Sequence, residues 1–130
     1  MKWLIARTFL SCLFGRIGLA ETPVAELLEV NEIWNQAPHN AFTDLALWNG
    51  RFVCVFREGR GHVSADGKIR VLTSPSGDQW QSAALIELAS YDLRDAGLSV
   101  TPDDRLMLIG GAAPRTADNK LVPTGTFVSF

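Results

Sequence analysis

Two groups of charged residues could do chemistry: Arg57, Glu58 and Arg60, followed by Asp66, and further on Asp92, Arg94 and Asp95. Arg57 and Arg60, at the end of an apolar strand, are candidates for lining a pocket. Asp66 carries a carboxyl group, a side chain able to give or take up a proton. Each residue also has a plainer reading. Asp66 precedes Gly67, and Asp-Gly is a common recipe for a tight turn. Arg57 and Arg60 flank Glu58 at the end of an apolar run, as in an ion-paired strand end. Asp92, Arg94 and Asp95 fit a local salt-bridged turn as well as a substrate contact. His62 could transfer protons near neutral pH, but His39 is the only other histidine and no cysteine lies beside either. No metal and no cofactor are therefore expected.

The elements that must position these residues read as β. Leu45–Trp48, the dipeptide Asn49-Gly50 and Arg51–Arg57 form a hairpin signal, because Asn-Gly supplies the positive φ angles of a two-residue turn. Phe52, Cys54 and Phe56 share one face of the second strand, and Val53 and Val55 share the other. Both faces are apolar, as in a strand with packing on either side. A strand over Ile69–Thr73 follows Asp66-Gly67, then the polar turn Ser74–Gln79 ending in Trp80, then a strand over Ala83–Leu88. A weaker copy begins at Gly97–Val100, turns at Pro102–Asp104, continues over Arg105–Ile109 and resumes at Thr126–Phe130. The offset between copies is about 55 residues, in the range of propeller blades. Ahead of the first copy, Val24–Trp34 is spaced for a short helix or an extended lead-in, broken at Asn35–Pro38.

The stretch VFREGRGHVSADGKIRVLTS and the turn SPSGDQW resemble the sialidase superfamily, the BNR or Asp-box β-propellers, and are most similar to its bacterial exo-α-sialidase-like members. Phe56, Glu58 and Arg60 match an F-x-[ED]-x-R pattern, and Asp66 falls where that family carries its acid/base. Asp95 falls where it carries a pocket aspartate. Ser74, Gly77 and Trp80 match a shortened Asp box, with Ser76 where Asp is usual. The resemblance covers residues 42–130 and implies an all-β, six-bladed β-propeller, of which the chain holds about one and three-quarter blades of four-stranded antiparallel sheet. Blade one is expected over 42–89 and an incomplete blade two over 94–130, so the chain is expected to be a fragment. By resemblance, the full-length protein is an exo-α-sialidase-like glycoside hydrolase that cleaves terminal sialic acids. Asp66 would be catalytic, with Arg57, Arg60 and Asp95 binding a sialylated or other acidic glycan. The family's nucleophilic Tyr and its Glu lie in later blades, Tyr91 does not occupy that place, and His39–Asp44 has no Arg where the first clamp arginine opens the first strand. The chain alone is therefore expected to hydrolyse no sialoside. The alternative is a non-catalytic propeller that binds glycan or protein, and a third reading is a small, self-contained β domain.

The bulk numbers fit an ordinary globular chain: 130 residues, 47% hydrophobic, 20% charged, with a formal net charge of −2. Lys and Arg are scattered, which excludes the basic footprint of a nucleic-acid binder. Residues 1–20 pair Lys2 with an apolar stretch over Thr8–Gly15 and with Gly18-Leu19-Ala20, the order of a cleavable signal peptide. The expectation is a secreted or periplasmic protein, with residues 21–41 as a lead-in. A misplaced start or a short amphipathic helix remain alternatives for the first twenty residues. That stretch is too short and too charged to span a bilayer. Cys12 would leave with it, so Cys54 has no partner for a disulfide.

Overall fold

A computed structural model describes residues 25–118, 120, 122 and 125–130. The chain divides into Met1–Val30 and Asn31–Phe130. Of the first unit only residues 25–30 are described, and they carry no helix or strand. The expected signal peptide lies outside the described residues. Of the two readings of the lead-in, the helix does not form over residues 25–34, which carry no helix or strand.

Among the described residues the second unit is all-β, with two antiparallel sheets and no helix. The first sheet runs in order β1 (His39–Trp48), β2 (Arg51–Gly59), β3 (Lys68–Ser74), β4 (Gln81–Ile86). The second runs β5 (Tyr91–Val100), β6 (Leu106–Pro114), β7 (Gly125–Ser129). Neither sheet closes on itself. Several boundaries shift from the sequence reading, among them β1, which starts at His39 and not Leu45, and β6, which runs on to Pro114 and not Ile109. β4 starts two residues before Ala83 because its pairing with β3 begins at Thr73↔Gln81. β5 starts at Tyr91, so Asp92–Asp95 is strand and not turn.

The first hairpin forms as its sequence dictates. Asn49 and Gly50 sit at φ 48° and 69°, both left-handed, and Trp48 pairs with Arg51 across the turn. That backbone twist matches the twist of the strands. The Ser74–Trp80 turn also closes as its residues suggest. Ser74 Oγ accepts the Gly77 amide at 2.8 Å, Gly77 takes φ +94°, and Trp80 Nε1 donates to the Gly77 carbonyl at 2.7 Å.

β2 is apolar on both faces, and each face meets its own cluster. Val55 points between the sheets with Ile69, Leu93, Ala96, Leu108 and Ala112. Cys54 and Phe56 point the other way and pack with Leu72, Trp34 and Trp80. Ile69 and Leu72 are fully buried, each contributing about 1.5–3 kcal/mol by leaving water. Cys54 is 2% exposed, and burial, then the nearby Asp44 carboxylate, raise its thiol pKa above the ordinary value.

A matched irregularity ties the sheets together. β1 bulges between Ala41 and Asp44 with Phe42 at φ 60°, and β5 bulges between Arg94 and Gly97 with Asp95 at φ 51°. A bulge inserts an extra residue and re-aims its neighbours. Asp44 leaves the first bulge to accept the amide of Leu98, beside the second, at 2.6 Å. At the opposite end Trp48 Nε1 donates to the Asp104 carbonyl at 3.1 Å.

Candidate functional site

Strand alternation places Arg57 on the same face of β2 as Val55. Its guanidinium therefore enters the gap between the sheets, where it presents no atom to solvent. Its Nε donates to Asp92 Oδ1 at 2.8 Å, Nη1 to the Gly61 carbonyl at 3.0 Å, and Nη2 to Ser64 Oγ at 3.0 Å. Glu58, on the other face, takes Arg70 in a fork, through Nε at 3.1 Å and Nη2 at 2.6 Å, and also accepts Trp34 Nε1 at 3.2 Å. The strand-end ion pairing read from the sequence thus exists, but its partners are Asp92 and Arg70 from other strands.

Asp92 is the centre of the site. It is fully buried, with Arg57 on Oδ1 and Arg115 on Oδ2, the latter through Nε at 2.7 Å and Nη2 at 2.6 Å. Arg94 Nη1 stands 3.7 Å from the same oxygen. One carboxylate thus faces three guanidiniums, two of them essentially buried. Gly67 makes this possible by close approach. Its φ is not left-handed, but a Cβ there would fall 1.9 Å from Asp92 Oδ1 and 2.5 Å from Arg57 Nε. Its carbonyl also accepts the Leu93 amide at 2.9 Å, binding the loop after β2 to β5.

Arg94 is held more loosely than its two neighbours. Its contacts with Asp92 and with Asp95, at 3.7 and 3.9 Å, exceed hydrogen-bond length, and its guanidinium lies 5.3 Å from the centre of the Phe42 ring. Phe42 in turn meets His62 at 5.3 Å, and His62 meets His39 edge-on at 5.5 Å. His39 Nδ1 is buried without a hydrogen-bond partner. The two bulges, the loop from Arg60 to Gly67 and the starts of β1 and β5 therefore share one end of the sheets.

The four residues singled out in the sequence occupy that end in different states. Arg57 is sealed inside the ion cluster. Asp95, its side chain 65% exposed, projects from the β5 bulge. Arg60 is exposed and holds Asp66 from both its backbone amide, at 3.2 Å, and its Nε, at 3.2 Å. Partial burial raises the Asp66 pKa, but hydrogen bonds from Ser64, Arg60 and its own amide, with the Arg60 charge, outweigh it and leave the pKa below the ordinary value. Asp66 is therefore ionised at neutral pH, a state that accepts a proton but has none to donate. Asp66 also lines a groove of about 300 Å³ with Lys68, Glu87 and Tyr91. Arg115, Phe42 and His39 carried no role in the sequence reading, where Arg94 stood with Asp92 and Asp95 as a salt-bridged turn or a substrate contact; Arg115 in particular lies in a polar loop with no spacing that links it to Asp92.

The lowered Asp66 pKa has a measurable sign. A carboxyl group with a depressed folded-state pKa adds stability above its unfolded value and loses it as pH falls through the folded one. Chemical denaturation between pH 7 and pH 2 is expected to show wild-type stability dropping below about pH 4, with Asp66→Asn less stable at pH 7 and flatter across that window. Parallel pH profiles for the two proteins would contradict this assignment.

Among the described residues no group of three His, Cys, Asp or Glu side chains is placed to hold a metal ion, and no helix is long and apolar enough to cross a membrane. No protein-family model matches the chain, and neither does any curated protein or solved structure.

Proposed function

We propose that the two sheets are consecutive blades of a sialidase-type β-propeller and that the end bearing the bulges binds a terminal acidic sugar. The observation that carries the reading is the loosely held Arg94 guanidinium, 3.7 Å from the buried Asp92 carboxylate that Arg57 and Arg115 already grip. A guanidinium in a partly dehydrated site, without a hydrogen-bonded carboxylate of its own, favours an anionic ligand. Arg94, the loosely held member, offers its fork to the sugar carboxylate. Asp95 accepts sugar hydroxyls, and Phe42 with His62 supplies an apolar wall. The propeller assignment draws support from the bulges at Phe42 and Asp95, from the packing of β5 against β1, and from the Ser74–Trp80 turn.

Binding without hydrolysis is the reading for this chain, within an exported exo-α-sialidase-like protein. Asp66 is held ionised beside Arg60, and Arg57 has no free face for a substrate. The same two facts favour the second reading, a non-catalytic glycan-binding propeller.

Titration with N-acetylneuraminic acid, followed by NMR, is expected to shift signals near Phe42 and Arg94, whereas galactose leaves them in place. Arg94→Ala is expected to weaken binding by about tenfold or more, since a hydrogen bond to a charged group contributes about 1.5–3 kcal/mol. Equal response to the neutral sugar, or an unaffected Arg94→Ala protein, would sink the proposal. The purified chain is expected to release no fluorophore from an aryl sialoside; release would overturn the binding-only reading.

A further inference from the structure

A row of side chains in contact crosses the end that carries the bulges. His39 meets His62 edge-on, with ring centres 5.5 Å apart, and His62 meets Phe42 at 5.3 Å. Over the same Phe42 ring lies the Arg94 guanidinium, 5.3 Å from its centre, and Asp95 stands 3.9 Å from Arg94. The row draws on β1 for His39 and Phe42, on the loop after β2 for His62, and on β5 for Arg94 and Asp95. One aromatic ring thus meets a permanent cation and an imidazole, each within the distance of about 6 Å over which a ring attracts positive charge.

Imidazole is the side chain whose charge ordinarily changes between about pH 5 and 8, and the two in this row are the only histidines in the sequence. They differ in what a proton costs. A charged imidazole carries N–H on both nitrogens. In His39 that places a donor on Nδ1, which is buried with no hydrogen-bond partner, and an unsatisfied buried donor is destabilising. His62 has no such buried orphan. The proton therefore goes to His62. Other charged groups at this end already have partners: Asp66 takes Arg60, Asp92 takes Arg57 and Arg115, and Glu58 takes Arg70.

We infer that His62 is the second cationic group of the acidic-sugar site, and that the sugar carboxylate binds together with a proton on His62, so that affinity rises as pH falls from 8 to 5.5. The inference rests on the sugar-binding reading. Without an anion, a charged His62 shares the Phe42 ring with Arg94, and like charges disfavour one another. An anion seated between the two turns that repulsion into two attractions. Anion binding and proton uptake then favour each other by the same factor. The sugar carboxylate stays ionised across this range, since carboxyl groups titrate near about pH 4. An imidazole at pH 8 is uncharged, and there the ring serves only as part of the wall.

Calorimetric titration of the full chain with N-acetylneuraminic acid, at constant ionic strength, tests this. The wild-type chain is expected to bind about fivefold more tightly at pH 5.5 than at pH 8. Titrations at pH 6.5 in buffers of different ionisation enthalpy should show net uptake of protons on binding. Both measurements need no variant. His62→Gln should remove the difference between the two pH values, whereas His39→Gln should keep it. Equal wild-type affinity at both pH values, proton release in place of uptake, or a pH dependence that survives His62→Gln would each overturn the inference while leaving sugar binding intact. No binding at either pH would overturn the sugar reading and this inference with it.

Discussion

Asp92→Ala is expected to cost the protein about 3–5 kcal/mol, the range for removing one partner from a buried ion pair. The magnitude follows from what stays behind. Arg57 and Arg115 are fixed between the sheets with at most 2% of their side chains exposed, so neither can turn to water when the carboxylate is lost. A small domain is stable by about 5–15 kcal/mol in total, so the variant should lose a large share of its stability and unfold at a much lower urea concentration. Urea denaturation at pH 7 measures this directly. Asp92→Asn serves as the comparison: it keeps the side-chain shape and one carbonyl acceptor but removes the charge, and it should fall between wild type and alanine. A loss below about 1 kcal/mol for Asp92→Ala, the level of an exposed pair, would mean that the cluster does not hold the sheets together.

The second large effect belongs to a residue with no side chain. Gly67→Ala introduces a Cβ at 1.9 Å from Asp92 Oδ1, so either the loop or the ion pair must move. Overpacking alone costs about 1–3 kcal/mol, and displacement of the Asp92–Arg57 pair adds to it. Gly61→Ala is the control within the same loop, because nothing lies within 4 Å of its built Cβ; its stability should stay within about 0.5 kcal/mol of wild type. The contrast, read as two denaturation midpoints, separates close approach from loop flexibility. Equal effects at both glycines would show that the loop, and not the contact with Asp92, sets the cost.

These two expectations mark where sequence reasoning stopped. The Asn49-Gly50 hairpin, the two-faced β2 strand and the Ser74–Trp80 turn were legible because each is specified by residues a few positions apart, through φ preference, alternation or a local hydrogen bond. The Asp92 cluster was not. Its members come from β2, β5 and the segment after β6, and nothing in a single chain of letters ties Arg115 to Asp92 across 23 residues. Gly67 was read as a turn residue because Asp-Gly usually is one; the need for a bare backbone appears only once β5 is seen to press against it. The bulges were hidden for a related reason. Phe42 and Asp95 are not residues that favour positive φ by virtue of lacking a Cβ, so the extra residue in each strand is imposed by pairing and by the Asp44 bond to Leu98. Arg57, Arg60, Asp66 and Asp95 were grouped in the sequence only by the family resemblance, and the structure separates the sealed arginine from the exposed aspartate.

Cys54 gives the molecule a timer that needs no added label. Only the thiolate attacks a disulfide reagent, and burial together with the Asp44 carboxylate holds this sulfur in its protonated form. Asp44 also accepts the Leu98 amide on the facing sheet, so the group that helps silence the thiol is one that fastens the sheets. The rate at which Cys54 is modified therefore follows the opening of the first sheet, and it reads the bond between the two bulges through the reactivity of a sulfur on the face of β2 turned away from Arg57.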